Sequence, residues 1–102
     1  MNARPLVIRS ARAADLDALH RLEVECMGGS ALPLAQFRWL LEGQGEDPVF
    51  FVRVAQDEER ENEPVGFVVW KMKIESAAPS YEILDLSVGT LFREERVEHA
   101  LL

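Results

Sequence analysis

The apolar spacing of this chain changes period between residues 43 and 49, and that change limits what the chain can fold into. Before it, apolar residues recur at helical spacing; after it, they gather in runs rich in β-branched and aromatic residues. "DLDALHRLEVEC", residues 15–26, places Leu16, Leu19, Leu22 and Cys26 on one face, with Asp15 and Asp17 at the positive end of the helix dipole. "GGS" at 28–30 breaks this helix, and a second runs over 33–43, from Pro33 to Gly43, burying Leu34, Phe37, Leu40 and Leu41. Strands are expected at 49–55 and 64–74, paired as an antiparallel hairpin, and at 81–88. "LVIR" at 6–9 adds a short strand at the start, and the closing stretch 91–102 returns to helical character. The expected order is β-α-α-β-β-β-α, an α/β fold. Its sheet is mostly antiparallel, with the first two helices on one face and the third on the other.

Composition narrows the function classes. With 102 residues the chain is long enough for one domain with a modest core. A net charge of −7 argues against nucleic acid and anionic membrane surfaces as partners, both of which need clustered Lys and Arg. No apolar run is long enough to span a bilayer, and the N-terminus lacks a secretory apolar stretch. Cys26 is the single cysteine, so an internal disulfide is excluded; a cytoplasmic location is expected. The acidic stretch "QDEERENEP", residues 56–64, reads as a solvated hairpin tip. No Cys/His cluster has metal-ligand spacing, so no metal is expected.

Several stretches, in order, resemble the GCN5-related N-acetyltransferase family. "IRSARAADLDALHRLE" is similar to its first strand and helix, and "LEVECMGGSALPLAQFRWLLEG" to the segment of the ribosomal-protein alanine acetyltransferase branch. "VFFVRVAQ", "PVGFVVWKM" and "YEILDLSV" are similar to strands two, three and four. The resemblance covers nearly the whole chain as one domain, 1–102. It implies acetyl-CoA as co-substrate and a primary amine, or a protein N-terminus, as acceptor. It further implies that backbone groups of Leu86 and Val88 pair with the pantetheine arm. The family's pyrophosphate loop falls, without a gap, on Arg93, Arg96, Val97 and Glu98. There backbone N–H groups at a helix N-terminus bind phosphate, and glycines let the backbone come close.

Arg96 and Glu98 stand where the two glycines of that loop would be. Arg96 offers a guanidinium to phosphate. Glu98 brings a like charge, which costs on the order of 1–4 kcal/mol at close range. Acetyl-CoA binding is therefore expected to be weak or lost. Family domains continue with a fifth strand, a fourth helix and two more strands, and the branch's general base and protonating tyrosine lie there. No catalytic residue is carried over. The alternative is a non-catalytic half-domain acting as a structural or binding module, expected to be a homodimer because the fourth strand's apolar edge needs cover.

Other residues have simpler readings beside their functional ones. Cys26 is read as a buried thiol, and His20 and His99 as helix positions without metal. Trp39 and Trp70 are read as core or interface residues. Glu82 is read as an exposed carboxylate, with a role as base through water as its functional alternative. Asp85 shares its strand.

Overall fold

The structure, a computed structural model, describes residues 6–57, 63–75, 78–89 and 101–102. Strand β1 (Leu6–Ser10) leads through a 3₁₀ turn at Ala13–Asp15 into helix α1 (Leu16–Met27). A second 3₁₀ turn at Gly28–Ser30 precedes helix α2 (Leu34–Arg38), which loosens into a π-helical turn at Trp39–Gly43. Strands β2 (Phe50–Asp57), β3 (Pro64–Glu75) and β4 (Ala78–Val88) follow. The four strands form one antiparallel sheet in the order β1-β2-β3-β4. The expected strands and first two helices are therefore present, with strands longer than the sequence suggested: β2 takes in Gln56 and Asp57, and β4 begins at Ala78. The tip of the acidic stretch, 58–62, lies outside the described residues.

The sheet is buried on both faces, which is why β3 reads as an almost unbroken apolar run. On one face Leu19 and Leu22 of α1 and Phe37 and Leu40 of the second helical segment pack on Val52, Val54, Phe67 and Val69. On the other, Ala55, Val65, Val68 and Val88 pack with Leu101, which is fully buried and helical. Gly66 makes room for that contact: a Cβ there would lie 3.1 Å from the Ser87 carbonyl oxygen and 3.3 Å from Leu101 Cδ1. The rest of the expected third helix, 91–100, lies outside the described residues.

Gly43 ends the helical segment as expected and has a second role. A Cβ at residue 43 would lie 2.7 Å from Trp39 Cδ1, so the glycine lets the indole lie against the widened turn.

Asp15 likewise does more than favour a helix dipole. Its carboxylate is buried and accepts from Arg9 Nη1 at 2.7 Å, Arg9 Nη2 at 2.8 Å and the Arg12 backbone N–H at 2.7 Å. This two-pronged pair fastens β1 to the start of α1. Burial pushes the Asp15 pKa up, but the bonds from Arg9 and Arg12 outweigh it and the net shift is downward. Removing the guanidinium strands a buried carboxylate. Arg9→Ala is expected to lower unfolding stability by about 2 kcal/mol, read from the midpoint of a urea titration.

Candidate functional site

The site begins with a carboxylate in an apolar stripe. Glu23 falls one position after Leu22 on the face of α1 that meets the sheet, and it is almost fully buried. Its oxygens are shared between two elements. Oε2 accepts from the Leu32 backbone N–H at 2.9 Å, holding the connection between α1 and α2. Oε1 accepts from Ser87 Oγ at 3.2 Å, tying α1 to β4. Such a side chain is tolerated in a core because its hydrogen bonds replace those of water.

Asp85 stands next to it. In the β3–β4 ladder Val69 pairs with Asp85 and Trp70 with Ile83, which leaves Leu84 as the extra residue of a bulge. The bulge has a definite consequence. Without it Glu82 and Asp85, three residues apart, would point to opposite faces; with it both lie on the α1 face, opposite Lys71 and Val69. Their surroundings differ sharply. Glu82 is exposed, pairs with Lys73 at 2.7 Å and has a lowered pKa because of that bond, so it is a poor proton acceptor. Asp85 is 9% exposed, and its Oδ2 has no hydrogen-bond partner among the described residues. Burial, then the hydrogen bond and charge of Glu23, raise its pKa from 3.8 to about 7, against a smaller downward pull from the Leu86 backbone N–H. Asp85 thus keeps its proton to near neutrality, beside the Glu23 carboxyl.

That shift makes a prediction about stability. Folded Asp85 keeps a proton that the unfolded chain has released above pH 3.8. Its stabilising contribution is complete below that value and is lost as pH rises through about 7. Asp15 acts oppositely: with its pKa lowered on folding, its contribution is present above its ordinary value and lost as pH falls through the lowered one. The thermal midpoint is therefore expected to fall between pH 4 and pH 7, by scanning calorimetry, and Asp85→Asn to flatten that slope.

The pair opens into a cleft of about 260 Å³ between α1, the second helical segment and β4. Glu23 and Asp85 are its only ionisable lining groups among the described residues; Met27, Leu32, Trp39, Leu40, Phe50 and Leu84 give it apolar walls.

Beside the cleft runs the outer edge of β4. Gly89 N–H donates to Val65 O at 2.8 Å, which fixes the phase of the ladder. Backbone groups of antiparallel strands alternate in direction. Those of Ser87 and Asp85 therefore face β3, and those of Leu86 and Val88 face away from it. The Val88 carbonyl accepts the Cys26 thiol at 3.2 Å, so this thiol is half-buried and polar in its contact rather than merely packed.

Leu86 and Val88 thus lie at one sheet edge beside the carboxyl pair. Arg93, Arg96, Val97, Glu98 and His99 lie outside the described residues. His20 packs edge-on to Phe37, ring centroids 6.3 Å apart. No group of His, Cys, Asp and Glu is placed to hold a metal ion among the described residues. None of the described helices is long and apolar enough to cross a membrane. Trp70 packs against the second apolar cluster, whereas Trp39 lines the cleft. Glu23 is the residue sequence reasoning passed over. Its signal was there: a carboxylate within the stripe of Leu19, Leu22 and Cys26.

Neither a protein-family model nor a curated protein sequence matches this chain. Solved structures do. An aminoglycoside acetyltransferase, meta-AAC0020 from an uncultured soil metagenomic sample, is 26% identical with a TM-score of 0.69, over 94% of this chain and 64% of its own. Aminoglycoside N-acetyltransferase AAC(6′)-Iy, solved with CoA, is 15% identical with a TM-score of 0.74, over 98% of this chain and 66% of its own. A ribosomal-protein-alanine N-acetyltransferase from Brucella melitensis is 16% identical with a TM-score of 0.70, over 95% and 66%. The chain spans just under two thirds of the length of these enzymes. The antiparallel sheet with α1 and α2 on one face, together with these likenesses, shows that the chain has the fold of the GCN5-related N-acetyltransferases.

Proposed function

We propose that the chain carries the donor strand and acceptor cleft of an acetyl-CoA-dependent N-acetyltransferase acting on a primary amine. One observation carries this reading: on β4, backbone groups of Leu86 and Val88 face outward directly beside the buried Asp85 carboxyl. An outward row of N–H and C=O groups fits an amide-bearing arm such as pantetheine, which pairs with a strand edge as another strand does.

Acetyl-CoA supplies an acetyl thioester. An amine reaches the site as an ammonium ion and must lose a proton before its nitrogen can attack. Asp85, titrating near neutrality, is matched to take that proton. Glu23 holds Asp85's surroundings in place through Leu32 and Ser87, and its hydrogen bond and charge raise Asp85's affinity for a proton. As the C–N bond forms, the C–S bond breaks and the thiolate leaves with the electron pair; the nitrogen gives up its second proton as the amide forms, and the thiolate is protonated by that proton through solvent. Calorimetry with acetyl-CoA tests the donor half: saturable heat supports the reading, and no heat at millimolar ligand overturns it.

A second reading, a non-catalytic homodimeric module, draws on Tyr81, Ile83 and Leu84, all exposed along β4. Light scattering separates the two. A clean monomer at high protein concentration counts against the module.

A further inference from the structure

We propose that the cleft is built for a small primary amine on an aromatic or branched aliphatic skeleton, its ammonium seated on Asp85 and its skeleton against Trp39. Only the claim that such an amine is then acetylated rests on the acetyltransferase reading; the binding claim stands apart from it.

Three features select this chemistry. The first is the Asp85 carboxyl, which lines the cleft beside a second carboxyl, Glu23, and whose inner oxygen, Oδ2, is fully buried without a donor among the described residues. A cation with several N–H donors at that wall offsets the negative charge of the two carboxyls. The second is the wall opposite. Trp39 and Phe50 meet edge to face, ring centroids 5.4 Å apart, and Leu40 and Leu84 extend the apolar surface. Trp39 is 44% exposed, an indole face still available for contact.

The third feature is scarcity of neutral polar groups. Ser30 and Gln36 are the only neutral polar side chains lining the cleft among the described residues. A sugar skeleton would press several hydroxyls against apolar walls with few partners, which is costly. The volume, about 260 Å³, lies below that of sites for drug-sized ligands and fits one ring or one branched chain. The polyhydroxylated acceptors named for the aminoglycoside enzymes are thereby disfavoured here.

The charges around the pair are all accounted for among the described residues. α1 contributes Glu23, β4 contributes Asp85, and the lining from β2, β3 and the second helical segment carries no charge. Lys71 lies over the Phe50 ring, 5.7 Å from its centroid, and does not line the cleft. Binding of an ammonium should therefore displace the proton held by Asp85, and affinity should rise with pH through about 7.

The test titrates the full chain, without acetyl-CoA, while following Trp39 fluorescence in a Trp70→Phe background. Phenethylamine is expected to bind saturably. Phenethyl alcohol, of the same shape but neutral, and glucosamine, a hydroxyl-rich amine, are each expected to bind at least about tenfold more weakly. Asp85→Asn should reduce the preference for phenethylamine over its alcohol to near parity. Equal binding of amine and alcohol, or of phenethylamine and glucosamine, overturns the proposal. If acetyl-CoA binds and phenethylamine does not, this proposal alone falls. If phenethylamine binds and acetyl-CoA does not, the binding claim survives and the acetyltransferase reading falls.

Discussion

Asp85→Asn is expected to slow acetyl transfer about a thousandfold, the middle of the range for loss of a general base. The substitution keeps size and shape and removes only the ability to take a proton near neutrality. Asp85 earns this assignment from its surroundings: it is buried, lines the cleft, faces Glu23 and has an oxygen without a partner. Glu82, three residues earlier on β4, is the internal comparison. It is exposed and already neutralised by Lys73, so Glu82→Gln should leave the rate unchanged. The rate with wild-type protein should rise with pH through about 7 and level off, and that inflection should vanish in Asp85→Asn. A variant within tenfold of wild type would place the base elsewhere.

Phe37→Ala is expected to lower unfolding stability by about 4 kcal/mol, measured by urea titration. Phe37 is completely buried and meets Phe67 of β3 edge to face, ring centroids 5.5 Å apart. His20 of α1 lies against its other side. The ring therefore joins α1, α2 and the sheet at one point. α2 itself is short, Leu34–Arg38 before the π-helical turn, and a helix of that length has no stability of its own in water. Its position over the cleft depends on Phe37 and Leu40 gripping the sheet. The same substitution should therefore weaken amine binding as well as stability, because Trp39 and Leu40 share that segment.

What the sequence disclosed and what it hid follow from range. The helices and strands were legible because each is written in local spacing: Leu19 and Leu22 at helical intervals, then the β-branched run of β3. Gly66 sits in the quoted stretch "PVGFVVWKM", and its reason, the approach of Leu101, emerged only in the fold. The site was less legible because it is made of long-range contacts. Glu23 and Ser87 are 64 residues apart in sequence, and nothing near either one announces the other. The bulge at Leu84 was equally hidden. "YEILDLSV" alternates well enough to pass for a regular strand, yet the one-residue shift decides that Asp85 turns toward α1. Leu86 and Val88 lie on the outer edge of β4, where backbone groups are available whatever the side chains. The stretch expected to form a pyrophosphate loop falls on residues outside those described.

The most direct test of the donor strand is amide NMR of isotope-labelled protein titrated with acetyl-CoA. The Leu86 and Val88 amide resonances are predicted to move most and to saturate together with those near Asp85. Unmoved Leu86 and Val88 resonances at millimolar acetyl-CoA would contradict the assignment of β4 as the donor strand.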